Sequence, residues 1–200
     1  MKLNIKLEEA KRAIAIHDFK REDLLIIALT EPSDLNNPYL FSTSERIERE
    51  KIYRRLAFLG DALLDSVLAD YLFNLDKNLS KKDLDDCRQE ILSKNSLTEF
   101  ATDLGLPNFS SSWQQKNRLS PEKQPRLWAE MFEVFVGVIF IDRQKNFLHL
   151  SQWLIDNFIR TAVGIYLNDP DYNGMITSEE YAEMIGLPYY WGWLPGDDDN

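Results

Sequence analysis

Apolar residues recur at helical spacing through most of this 200-residue chain, and no stretch shows the period of two that marks a strand. Leu24, Leu25, Ile27 and Ala28 predict a helix over 20–30, closed by Glu31-Pro32-Ser33-Asp34, because proline disfavours a helical residue before it. Asn36-Asn37-Pro38 continues that loop. A long helix is predicted over about 48–75, with Leu56, Leu59, Leu63, Val67 and Leu68 along one stripe. Gly60 lies inside it, where glycine costs roughly 1 kcal/mol relative to alanine, so another element is expected to pack closely there. Ser80-Lys81-Lys82-Asp83 reads as a capping box opening the next helix. Asn95 is a candidate cap for another, ending at Gly105 before Pro107. Residues 108–125 are polar, contain Pro121 and Pro125, and predict the longest internal loop. Helices over 127–142 and about 147–167 follow. The chain therefore reads as all-α, with no internal repeat: a body over 1–168 and an acidic tail over 169–200.

Composition changes this picture in a few places. A hydrophobic fraction of 44% supports a folded core. No apolar run approaches the ~20 residues of a membrane span, and the N-terminus lacks the apolar stretch of a secretory signal. Cys87 is the only cysteine, so the expectation is a reducing compartment such as the cytoplasm and an ordinary helix thiol. His17 and His149 are isolated and read as structural. The net charge of −10 is unevenly placed: residues 169–200 hold eight acids and no base, leaving 25 acids and 23 bases in the body. A near-neutral body can carry local basic patches, but there is no overall basic footprint.

The candidate chemistry lies in two segments that put carboxylates on otherwise apolar helix faces. In Arg55-Leu56-Ala57-Phe58-Leu59-Gly60-Asp61-Ala62, Asp61 is one turn from Asp65. In Ala129-Glu130-Met131-Phe132-Glu133, Glu130 and Glu133 are three apart. Buried uncompensated carboxylates are expensive, so two such faces brought together call for a cation. The alternative is two solvated faces that never meet. A second cation motif stands in the tail. Asp169, Asp171 and Asn173 fill positions 1, 3 and 5 of a twelve-residue EF-hand loop, with Gly174 at 6, the Met175 carbonyl at 7 and Glu180 at 12. Pro170 at position 2 and a following helix cut short by Gly186 and Pro188 count against it; the alternative is an acidic turn.

Four segments in order resemble the ribonuclease III endonuclease domain. They are Leu25-Ile26-Ile27-Ala28-Leu29-Thr30-Glu31-Pro32-Ser33; the stretch from Arg55 to Ala62; the stretch from Asp85 to Leu97; and the stretch from Leu127 to Asp142. The resemblance covers 20–168 and implies an all-α domain that forms a homodimer across the signature helix and cuts double-stranded or structured RNA with Mg²⁺ or Mn²⁺. It makes Asp61 and Glu133 the catalytic acids, and Asp61, Glu130 and Glu133 the metal ligands. Phe58 and Leu59 stand where the family has dimer contacts, although Leu59 reads equally well as a core residue. Candidate phosphate contacts are Arg88, Lys94, Lys116, Arg118, Lys123 and Arg126.

The departures are specific. Glu31 stands where a histidine is usual, Ala57 replaces a signature glutamate, Arg54 replaces a further acid, and Glu130 stands in for aspartate. The double-stranded-RNA-binding domain that usually follows is absent from this sequence. Mini-III ribonucleases also lack that domain and carry alanine at the Ala57 position, yet are nucleases. Two other classes stay open: a catalytically degenerate RNA-binding or ribosome-associated member of this fold, and a calcium-responsive interaction module.

Overall fold

The structure, a computed structural model, describes residues 5–13, 19–75, 79–111 and 124–167. Among them every regular element is helical, and there is no strand. The elements are α1 (Leu7–Ala13), α2 (Glu22–Ala28), α3 (Pro32–Leu35), α4 (Thr43–Leu75), α5 (Lys81–Ile91), α6 (Lys94–Asp103), α7 (Leu106–Phe109), α8 (Gln124–Asp142), α9 (Phe147–Leu154) and α10 (Arg160–Tyr166), with a π-helical turn over Ile155–Ile159.

The centre of the fold is α8, flanked by α4 and α6. Its sequence is apolar on nearly every side, the mark of a helix enclosed by others. Met131, Phe132, Val134, Phe135, Val136 and Val138 are all fully buried. Phe100, Phe132, Trp153 and Phe158 stack around it, with Phe132 and Phe158 edge-to-face at 5.1 Å. At its C-terminal end the buried Asp142 accepts from the backbone N–H groups of Lys20 and Arg21, at 2.8 and 2.7 Å. Those are donors that the start of α2 leaves unsatisfied, so one carboxylate ties two helices together.

Caps set the helix starts. Ser80 and Asp83 form the expected reciprocal box, with the Ser80 N–H donating to Asp83 Oδ2 at 3.0 Å. Ser93, not Asn95, caps α6, accepting from the Ser96 N–H at 3.2 Å. The long helix begins at Thr43 rather than near 48. Ser42 and Glu45 form a second box there: the Ser42 N–H donates to Glu45 Oε2 at 2.9 Å, and Ser42 Oγ sits 3.4 Å from the Glu45 N–H. Pro32 opens a short helix instead of only ending one, because proline suits the first helical position. Pro125 likewise lies in the first turn of α8 and not in the preceding loop. The last helical run is continuous but passes through the π turn, which carries one extra residue and keeps Ile155, Phe158 and Ile159 buried ahead of Val163.

Candidate metal centre

The site lies where α4 crosses α8. A Cβ placed on Gly60 would stand 1.8 Å from the Glu133 carbonyl oxygen, and one on Gly137 would stand 2.6 Å from that of Leu56. The two backbones therefore touch, which is the close packing that a mid-helix glycine predicts. Asp61 adjoins Gly60 in sequence, and Glu133 lies directly against Gly60, so the crossing brings two acids to one place.

The electrostatics agree, and the idea of two solvated faces that never meet is thereby overturned. Burial pushes the Glu133 carboxyl up to about 7, with the charges of Asp61 and Glu130 adding to the shift and Lys94 opposing it. The buried Tyr53 hydroxyl, one turn before Ala57, has no hydrogen-bond partner among the described residues. It is pushed well above its ordinary range by burial, and the charges of Glu130, Glu133 and Glu31 add to that. Glu130 forms an ion pair with Arg54 across the α4–α8 interface. Between Arg54 and Asp61 on α4, Ala57 offers only a buried methyl group.

All-oxygen, anionic donors are the right chemistry for a hard divalent cation such as Mg²⁺, which keeps several waters and needs only one or two protein carboxylates. Asp61 and Glu133 meet that requirement. Among the described residues, however, no three acid, histidine or cysteine side chains are arranged to hold a metal together. Glu130 is drawn onto Arg54 instead.

Asp65 is about half exposed and ion-paired. It receives Arg88 Nη1 at 2.6 Å, and Arg88 also lies 3.8 Å from Asp85. Asp61, Asp65, Arg88, Gln89 and Leu92 line an open groove of about 300 Å³ running from the acids toward α5. Among the basic candidates, Lys94 and Arg126 are exposed, and Lys94 is near enough to Glu133 to affect its proton affinity. Lys116, Arg118 and Lys123 lie outside the described residues, as do His17 and the whole calcium motif from Asp169 to Glu180. Cys87 is buried, and burial pushes its thiol up to about 11, which suits an inert helix thiol.

The stripe of Leu56, Leu63, Val67 and Leu68 is buried in the chain's own core and cannot serve as a dimer face. Leu59 is half-buried against the same core. A second stripe faces outward: Phe58 is 79% exposed and Phe73 74%, with the exposed Ala62 and Ala69 between them. Apolar periodicity alone does not single out this stripe, nor the Arg54–Glu130 pair, nor the burial of Tyr53 and Glu31. Of these, only the spacing of Phe58, Ala62, Ala69 and Phe73 carries a signal in the sequence.

A Ribonuclease III domain model matches residues 54–144, a span that includes Arg54, Ala57, Asp61, Glu130 and Glu133. The chain is 30% identical over 167 residues to Ribonuclease 3 of Listeria monocytogenes, covering 82% of this chain and 68% of that protein. The chain belongs to the ribonuclease III family. Ribonuclease 3 of Shouchella clausii is 31% identical over 138 residues, 68% of this chain and 50% of that protein. The chain thus spans about half to two thirds of the length of these curated relatives. The nuclease domain of ribonuclease III from Campylobacter jejuni superposes with a TM-score of 0.57 at 25% identity, covering 76% of this chain and 99% of that one. A second structure of that domain gives 0.58 at 24% identity, covering 82% and 97%. In the first of these, structural flexibility is described for a region involved in dimer formation of the Campylobacter protein. The all-α ribonuclease III nuclease fold expected from the four segments is therefore the fold of this chain. Among the described residues no helix is long and apolar enough to cross a membrane.

Proposed function

We propose that this chain is a divalent-metal-dependent endoribonuclease that cuts double-stranded or structured RNA as a homodimer. The observation that carries this reading is the pairing of Asp61 with Glu133 across the Gly60–Gly137 crossing, where the Glu133 carboxyl is pushed up to about 7. A strongly perturbed acid, beside an Asp61 that lines a groove, marks a candidate functional site.

Asp61 and Glu133 are the residues that would hold Mg²⁺ or Mn²⁺. Such an ion supplies an activated water and a clamp on the scissile phosphate. The rest falls to the chain itself. Lys94, on the neighbouring helix, sets a positive charge beside Glu133. Arg88, on the far wall of the groove from Asp61, offers a guanidinium to a phosphate oxygen once it exchanges out of its pair with Asp65. A duplex laid along the groove would be gripped by its backbone and 2′-hydroxyls, reading shape more than sequence. The outward stripe of Phe58, Ala62, Ala69 and Phe73 is the face on which two copies would meet. A two-fold axis through it would give the dimer two equivalent acid sites.

A second reading, a catalytically degenerate RNA-binding member of the family, is favoured by Ala57 and by the engagement of Glu130 with Arg54. Incubating purified protein with long double-stranded RNA separates the two. Cleavage with Mg²⁺ or Mn²⁺, abolished by EDTA and by Asp61→Asn or Glu133→Gln, supports the nuclease. Cleavage that survives both substitutions refutes the site, and no cleavage with either metal leaves the degenerate reading standing.

A further inference from the structure

Arg54 forms an ion pair with an acid of the cluster, Glu130, and it stands on the helix that carries Asp61. We infer that Arg54 is a tethered counter-ion that withholds Glu130 from a divalent metal. The site then takes its metal weakly, through Asp61 and Glu133, and takes it more tightly when Arg54 is removed. This rests on the proposal that the cluster binds a divalent cation.

Three observations carry it. First, Arg54, Ala57 and Asp61 follow one another at spacings of three and four along α4, so they lie on one strip of it, at the edge of its contact with α8. Of the three, only Asp61 can ligate a metal. Arg54 places a positive charge at one end of that strip, and the Ala57 methyl offers nothing to offset it. Second, the ion pair joins helices through residues 76 apart in sequence. The Glu130 side chain retains 25% of its exposure and the Arg54 side chain 54%, so Glu130 is turned toward the guanidinium at the rim. Third, no three acids among the described residues are arranged to hold a metal, although Asp61, Glu130 and Glu133 are close enough to act on one another. A carboxylate engaged by a guanidinium has lone pairs taken up. To join a metal's coordination sphere Glu130 must first give up Arg54, and the incoming dication must in addition tolerate the guanidinium charge nearby.

Because Arg54 is half exposed, solvent screens its charge and the effect is moderate. Replacing it with neutral glutamine should tighten metal binding by roughly two- to fivefold, the range of a partly screened ion pair. The gain should run through Glu130. In Arg54→Gln/Glu130→Gln it should vanish, because the carboxylate that was released is no longer there. Arg55→Gln makes the same change in net charge one residue on, about 100° around the helix, and should leave affinity nearly unchanged.

The experiment is a Mn²⁺ titration of the full chain, following the free-ion paramagnetic resonance signal, with far-ultraviolet circular dichroism to show that each variant is folded. Tighter binding in Arg54→Gln, lost again in the double variant and absent in Arg55→Gln, is the expected result. Equal or weaker binding in folded Arg54→Gln would overturn the inference while leaving the metal site itself intact. Equal tightening in Arg55→Gln would overturn it too, since net charge alone would then be responsible. If neither wild type nor Arg54→Gln binds Mn²⁺ at millimolar concentration, the metal reading fails and this inference fails with it.

Discussion

Gly60→Ala tests the α4–α8 crossing most sharply, because local and tertiary effects have opposite signs. Helix propensity alone favours the substitution by roughly 1 kcal/mol. The packing opposes it. The new Cβ would stand 1.8 Å from the Glu133 carbonyl oxygen, 2.6 Å from its carbonyl carbon and 3.1 Å from the Gly137 nitrogen. Ordinary contact begins at 3.4 Å, so the helices must part by roughly 1.6 Å, and every clashing atom is backbone that cannot rotate aside. Overpacking of this kind costs about 1–3 kcal/mol, and a backbone clash belongs at or above the top of that range. The net loss expected is about 2 kcal/mol or more, a fall in Tm of roughly 4–8 °C for a chain of this size. Gly137→Ala, whose Cβ stands 2.6 Å from the Leu56 oxygen, should cost less than Gly60→Ala. Since Asp61 and Glu133 flank the crossing, Gly60→Ala should also weaken Mn²⁺ binding. Urea unfolding with calorimetric melting measures the first effect. A Gly60→Ala protein as stable as wild type, or more so, would refute the crossing.

Two further outcomes follow from the same structure. Phe58→Asp and Phe73→Asp, at exposed positions of α4, should leave the fold intact and shift a dimer toward the 23.4 kDa monomer in light scattering at micromolar concentration; a monomeric wild type would refute the dimer face. Glu31→Gln should stabilise the chain by about 1 kcal/mol near pH 8, as expected for removing a buried and incompletely paired charge. Burial raises the Glu31 carboxyl above its ordinary value, with the nearby Asp34 adding, although the Ser33 hydroxyl donates to Oε1 at 2.9 Å. A raised carboxyl favours the folded state below its unfolded value and loses that advantage as pH rises through its folded value. The gain in the variant should therefore disappear near pH 4, and a difference in melting temperature independent of pH would refute the assignment.

The parts of the fold legible in the sequence are those set by local rules. Apolar periodicity places the long helix and the central one, and the Ser80–Asp83 box announces itself. The Gly60 penalty foretells the close approach. Errors arise where several residues could play one part. Ser93, Asn95 and Ser96 are all plausible caps, and only the backbone geometry selects Ser93. Ser42-Thr43-Ser44-Glu45 has the form of a capping box but sits before a polar stretch with no apolar stripe to announce a helix. The outward stripe is hidden by a stronger one. Leu56, Leu63, Val67 and Leu68 account for the helix as a core element, and Phe58, Ala62, Ala69 and Phe73 stand out only once the inner face is known to be covered. The Arg54–Glu130 pair has no local signature at all, because its partners lie 76 residues apart.

The acid cluster is better explained by chemistry than by stability. Raising Glu133 to about 7 means that folding makes its ionised form less favourable than it is in water, so the carboxylate costs the fold free energy at neutral pH. Glutamine has nearly the same shape and would avoid that cost. The position against Gly60 is not a forgiving one either, since the backbones are in contact there. Arg54 offsets part of the field, but it contacts Glu130 at the rim rather than the more deeply buried Glu133. A purely structural account would place the guanidinium on the acid that most needs it. Instead the cation holds the outer acid and leaves Glu133 facing Asp61 with only Lys94 opposing their repulsion. That residual negative charge, fixed by two helices in backbone contact beside the groove that Asp61 lines, is what a divalent cation would neutralise.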